Sequence, residues 1–192
     1  MKMKIDAIFE GGGIRGIGFV GAVCCMEEKG FQWQRVAGTS AGSIVAALLA
    51  AGYTGKELYE VINDTDYNKF LDERGIQTIP LLGKPLGLLF LNGMYRGDYI
   101  EQWMQGLLNA KGKTRFKDVM LDGECRLKII ASDITKRKIL ILPDNLPDYG
   151  IDPMEFEIAK AVRVSAGIPF CYNPVKLKYR DGVSYIVDGG IL

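Results

Sequence analysis

Apolar residues come in short blocks whose period changes along the chain, and the blocks delimit the elements. Residues 5–9 alternate loosely and stop at Glu10 and three glycines, as a buried strand does. Over residues 14–29 apolar positions return at helical spacing, and Gly30 supplies the stop. Residues 33–38 predict a second strand. Residues 41–51, apolar on every side, predict a buried helix closed by Gly52. Thr54 has the character of an N-cap for a helix reaching about Asn63, and residues 98–109 resume helical spacing. Residues 126–131 and 138–142 read as strands, 153–164 as a helix capped by Asp152, and 184–187 as a final strand. Strand and helix alternating early in the chain predict an α/β fold, with a parallel sheet and helices on both faces.

A length of 192 residues suits one domain with a substantial core. The 24 basic and 23 acidic residues leave a net charge of +1, which gives no electrostatic footprint for nucleic acid and no global pull toward anionic membrane. Cys24, Cys25, Cys125 and Cys171 lack CxxC spacing and read as reduced thiols. The apolar run before Glu10 is too short for a signal peptide, and Pro80, Lys84 and Pro85 break the stretch 79–95 before it could span a bilayer. The expectation is a soluble, cytoplasmic protein.

Three stretches carry candidate chemistry. In VAGTSAGS, Ser40 lies between Gly38 and Gly42 at a strand-to-helix junction, the setting of an activated serine. The helix that follows aims its N-terminal amides and positive dipole end at the same spot. In EGGGIRG, residues 10–16 match GxGxxG, the fingerprint of dinucleotide binding. That reading needs an acidic residue ending the second strand to hold a ribose, and Gly38-Thr39-Ser40 stand there instead. What remains is a run of unhindered amides able to hold an anion; beside a serine, that is an oxyanion hole.

The third stretch is Val187-Asp188-Gly189-Gly190, an aspartate leaving a strand into two glycines. Alone it is an ordinary turn signal. It gains weight because the chain contains no histidine, and the SxxK position after Ser40 is occupied by Ser43. A carboxylate taking the serine proton directly is the remaining simple option. Since a carboxylate at its ordinary pKa of about 3.9 is a weak base, this reading asks for burial beside Ser40. GLLNAKGKT at residues 106–114 has one residue too many for a phosphate loop and follows a helix. The acidic run Asp144, Asp148, Asp152, Glu155 lacks calcium-loop spacing.

Taken in order, EGGGIRG, GTSAGS and DGG resemble the signature blocks of the patatin-like phospholipases, with support from Ala131-Ser132-Asp133 and from residues 164–170, VSAGIPF. The resemblance implies a three-layer α/β/α sandwich with a mainly parallel central sheet, residues 1–192 forming a single domain. It implies a lipid acyl hydrolase in which Ser40 is the nucleophile and Asp188 the general base, working through an acyl-enzyme with neither metal nor cofactor. Gly11, Gly12, Gly13, Arg15 and Gly16 would form the oxyanion loop; Gly38, Gly42, Gly189 and Gly190 complete the motifs. The substrate would be an acyl lipid or phospholipid, with transient contact at a membrane surface. Residues 79–94, rich in leucine with glycine and proline hinges, would serve substrate access. Family members continue beyond the Asp-Gly-Gly block, so a C-terminal truncation is expected. A lipid-binding protein with a silent dyad, and an acyltransferase using the same acyl-enzyme, remain open at this point.

Overall fold

The computed structural model describes residues 3–72 and 93–192, so most of the stretch read as an access region (79–92) lies outside the described residues. Strand β1 (Met3–Phe9) leads through a 3-10 turn (Gly13–Gly16) into α1 (Ile17–Glu28). Strand β2 (Phe31–Thr39) leads into α2 (Ala41–Ala50), followed by α3 (Gly55–Asp64). After β3 (Gly93–Tyr95) and α4 (Asp98–Ala110) come the short pair β4 (Met120–Leu121) and β5 (Glu124–Cys125). Strands β6 (Leu127–Asp133) and β7 (Lys138–Leu142) precede α5 (Ile158–Ser165). Strands β8 (Phe170–Tyr172), β9 (Val175–Tyr179) and β10 (Gly182–Asp188) close the order.

The central sheet is mixed. Pairs β1–β2 and β2–β6 are parallel, as the early strand–helix alternation predicts. Pairs β6–β7, β6–β10 and β10–β9 are antiparallel, so the parallel order covers only the first three of these strands. Register on β6 fixes the layout. Strand β7 covers Ile129 to Asp133 on one edge. A strand has only two edges, so β2, paired with Leu127 to Ile130, and β10, paired with Ala131 to Asp133, share the other. Their C-terminal ends meet there, because β2 runs parallel to β6 and β10 runs against it.

Alternate residues of these strands (Phe9, Val36, Ile129, Leu140, Ile186) join one buried cluster, and all five described helices contribute residues to it. On the opposite face Ile8, Ile139, Ile141 and Val183 are exposed. Ser132 and Val187, on that same face, are buried, and the alternation of strands and helices is that of the expected α/β class.

Thr54 caps α3 as expected. Its hydroxyl accepts the Glu57 N–H at 3.3 Å, and the Glu57 carboxylate accepts the Thr54 N–H at 2.8 Å. Glu57 also takes a hydrogen bond from Lys111 at 2.7 Å, tying α3 to the end of α4. The Lys111 bond first, then the Thr54 N–H, bring the Glu57 carboxyl down to about 2. A depressed folded pKa contributes stability that is full above the ordinary value and lost as pH falls through the folded one. Glutamine can still accept the Thr54 N–H, so Glu57→Gln keeps the reciprocal cap and loses only the charge facing Lys111; it should lower stability at pH 7 by about 0.5 kcal/mol, seen as a slightly lower melting temperature. The gap to the parent should close as thermal melts are taken from pH 4.5 down to 2.

The helix expected over 153–164 begins only at Ile158. Asp152 caps a turn rather than a helix, its Oδ1 accepting the Met154 N–H at 2.9 Å. The residues between are drawn into pairing with another segment: Lys117 N–H donates to the Met154 carbonyl at 3.1 Å and Ile158 N–H to the Thr114 carbonyl at 2.9 Å. Those long-range bonds hold residues 153–157 in a turn and a single bridge to Arg115 where local spacing favours a helix.

Candidate active site

Ser40 is the single residue between β2 and α2, and its backbone has φ 53° and ψ −125°. For a residue with a side chain this is a strained conformation, costing about 1–3 kcal/mol. It persists because both sides of the turn are held. The Ser40 carbonyl accepts the Ser43 N–H at 2.9 Å and the Ser43 hydroxyl at 2.6 Å. The Ser40 N–H donates to Ser165 Oγ at 2.9 Å. Close approach explains the two flanking glycines. A Cβ on Gly38 would lie 2.2 Å from the Gly42 carbonyl oxygen, and one on Gly42 would lie 2.2 Å from the Phe9 carbonyl oxygen.

Because β1 and β2 are parallel, with Phe9 opposite Gly38, the glycine loop and Ser40 leave the sheet together. A Cβ on Gly11 would sit 3.2 Å from the Ser40 Cβ, and one on Gly16 would sit 2.9 Å from the Ala41 Cβ. Gly13 takes φ +55° to start the 3-10 turn, and Arg15 N–H closes it on the Gly12 carbonyl at 3.1 Å. The first amides of a helical turn have no acceptor within it, so those of Gly12 and Gly13 are available to a ligand. Arg15 itself is exposed. Its observed contribution is the turn.

Asp188 ends β10 where β2 ends, along the shared edge of β6: Thr39 is opposite Ile130 and Asp188 opposite Ala131. Gly189 is packed into that junction, since a Cβ on it would lie 2.3 Å from the Ile130 carbonyl oxygen and 2.9 Å from Thr39 Cγ2. Asp188 is 5% exposed. Its Oδ1 accepts the Gly190 N–H at 2.8 Å, whereas Oδ2 is buried with no partner. The Ser40 hydroxyl donates to neither oxygen here. Catalytic contacts of this kind often tighten only once substrate is bound. An unpaired buried carboxylate oxygen is costly, and a site that keeps one has an acceptor ready.

Asp133, the other carboxylate at a strand end, is committed elsewhere. It accepts the Tyr149 hydroxyl and, at 2.9 Å each, the N–H groups of Thr135 and Lys136. Burial pushes its carboxyl up, but these bonds outweigh burial and hold it below the usual range. It shapes the β6–β7 turn.

An apolar groove of about 330 Å³ is lined by Ser40, Gly13 and Gly16 together with Ile17, Ile44, Val45, Phe70, Ile100, Trp103 and Ile168. Phe70 meets Tyr99 and Trp103 edge-on, with ring centres 5.3 Å apart in both cases. Burial pushes the Tyr172 phenol, also on the wall, up to about 12, which keeps it neutral. Sequence reasoning missed the groove residues of α4. Their signal was the periodic apolar face of that helix, Ile100, Trp103, Met104 and Leu107, which is equally the signal for a core.

The chain is similar to known proteins over most of its length. The Bacillus subtilis (strain 168) protein YqhO is 45% identical over 191 residues, covering 99% of this chain and 64% of its own length. "Probable lipid hydrolase 463L" of Invertebrate iridescent virus 6 is 27% identical over 199 residues, covering 96% of this chain and 59% of its own length. The chain thus spans less than two thirds of these relatives. Among solved structures, VipD from Legionella pneumophila matches the whole chain and 46% of its own, with a TM-score of 0.61 at 18% identity. ExoU of Pseudomonas aeruginosa, solved with SpcU, matches 86% of this chain and 38% of its own, with a TM-score of 0.59 at 19% identity. At such identities the likeness speaks for the fold alone. The family model described as patatin-like phospholipase matches residues 7–192, and the chain belongs to that family.

Proposed function

We propose that this chain is a serine lipid acyl hydrolase, an esterase of the phospholipase A or lysophospholipase type, working through a Ser40–Asp188 dyad. The observation that carries the reading is the meeting of two strand ends, one bearing a strained serine that lines an apolar groove and the other a buried aspartate with a free oxygen. An acyl chain lies in the groove and presents its ester carbonyl to Ser40. Asp188 Oδ2 takes the hydroxyl proton as Ser40 Oγ bonds to the carbonyl carbon, and the Gly12 and Gly13 amides receive the oxyanion. Collapse breaks the ester C–O bond, and the proton on Asp188 passes to the departing alcohol. Water then attacks the acyl-enzyme, giving its proton to Asp188, and the returning proton frees Ser40 as the fatty acid leaves.

The groove opens toward lipid. Ile14 and Ile168 line it and are also exposed, Ile14 most of all, and Phe170 stands two residues after Ile168, 70% exposed at φ 67°. A bulky residue in that backbone region is uncommon and tends to mark function. The proposed role of Phe170 is brief insertion into a lipid surface. Among the described residues no helix is long and apolar enough to cross a membrane, so contact would be at the surface.

The test is a panel of acyl esters, from short soluble chains to phospholipid vesicles, assayed on parent and Phe170→Asp. We expect turnover to rise with chain length in the parent, and Phe170→Asp to lose several-fold on vesicles while keeping its rate on a soluble ester. No hydrolysis of any ester would remove the reading; equal loss on both substrates would remove the surface role. Product that retains the acyl group on an added alcohol would point to acyl transfer.

A further inference from the structure

We infer that Ser165 is a positioning residue that holds the nucleophile's turn and the aspartate's turn in one register. The inference rests on the reading of Ser40 and Asp188 above. Ser165 ends α5 and is 0% exposed. Its hydroxyl accepts the Ser40 N–H at 2.9 Å and donates to the Ile130 carbonyl at 2.6 Å. Ile130 is the β6 residue opposite Thr39, next to the partner of Asp188. The Ser165 carbonyl receives the Gly189 N–H at 3.4 Å, and the Gly167 carbonyl receives the Asp188 N–H at 3.0 Å. One helix end therefore grips the backbone on both sides of the dyad.

Ser40 requires such a grip. A residue at φ 53° stays there only when its surroundings over-determine it. Ser43 fixes the carbonyl side of the turn and Ser165 the amide side. Without the Ser165 hydroxyl, a buried N–H loses its acceptor and the Ile130 carbonyl loses a donor. Ser165 does not line the groove, whereas Ala166 beside it does. Its effect on the reaction runs through Ser40 and Asp188, not through substrate binding.

The experiment compares parent, Ser165→Ala and Ser165→Cys at a temperature where each is folded by circular dichroism. It reads kcat and KM on a soluble ester, the rate of fluorophosphonate labelling, and hydrogen exchange at Ser40 and Gly189. For Ser165→Ala we expect kcat to fall roughly ten- to a hundredfold, as for a misplaced catalytic group, with KM held within about twofold. Labelling should slow in step. Ser165→Cys keeps a weak donor and acceptor and should fall between the two. Exchange should quicken at Ser40 and Gly189 but not across the rest of the sheet. Combined with Asp188→Asn, the losses should be far from multiplicative, because both changes disable one pair.

A merely structural role predicts multiplying losses and exchange that quickens everywhere; either result overturns the inference. So does parental kcat in Ser165→Ala. A parent that neither labels nor hydrolyses defeats the functional reading, and unchanged exchange at Ser40 in Ser165→Ala defeats the positioning role on its own.

Discussion

Ser40→Ala should abolish fluorophosphonate labelling and lower ester hydrolysis on the order of 10⁶-fold, the scale seen when a serine hydrolase loses its nucleophile. Among the described residues Ser40 alone combines the strained turn, the adjoining glycine loop and a place in the groove lining. The fold should be spared, because the Ser40 hydroxyl contributes no cap and the turn is held through its backbone. Glycine accepts the Ser40 backbone angles more readily than alanine, so Ser40→Gly should melt higher than Ser40→Ala while being equally inactive. Mass spectrometry of the labelled peptide decides the assignment. Label on Cys24, Cys25 or Ser165 with Ser40 untouched would overturn it.

Asp188→Asn should lower kcat by about 10²–10⁴, the range for losing a positioned general base. Asparagine keeps an oxygen for the Gly190 N–H and nearly the same volume, so the turn into Gly189 should survive. What disappears is the free acceptor, Oδ2, replaced by an amide that donates. KM should move little, since Asp188 is not among the groove-lining residues. The comparison is kcat and KM on one soluble ester for parent and mutant, together with the labelling rate at Ser40. Near-parental activity would exclude Asp188. It would leave no ready substitute in Asp133, whose oxygens already serve Tyr149, Thr135 and Lys136.

The parts of this architecture that depend on neighbours in sequence were legible. Strand β2, the turn at Ser40, helix α2 and the Thr54 cap follow from glycine placement, period and capping chemistry acting over a few residues. The parallel β1–β2 pair was implied by the helix between them, and with it the meeting of the glycine loop and Ser40. Strand β9 lies outside the elements the sequence predicts, although Val175-Lys176-Leu177-Lys178-Tyr179 alternates strictly with period 2. The late start of α5 could not be read locally, because pairing with residues 114–117 decides it. The same holds for the site. Ser165 was visible as part of a block, but its hydroxyl bonds to Ser40 and Ile130 belong to the packed molecule. The groove draws on helices that sequence alone assigns to a core.

Two strand ends meeting on one edge of β6 have a consequence for when activity arises. Thr39 and Asp188 are far apart along the chain, and only their pairing with Ile130 and Ala131 brings them side by side. Closing so long a loop is slow relative to forming local helices. The turn at Ser40 can form early, from β2 and α2 alone, but Asp188 arrives only when β10 zips onto β6. During refolding, circular dichroism from the helices should recover ahead of fluorophosphonate reactivity, leaving an interval in which the chain is largely structured and chemically silent. On the proposed reading, a nascent or partly unfolded chain would carry the serine without the means to use it, and hydrolysis would be confined to molecules that have completed the sheet.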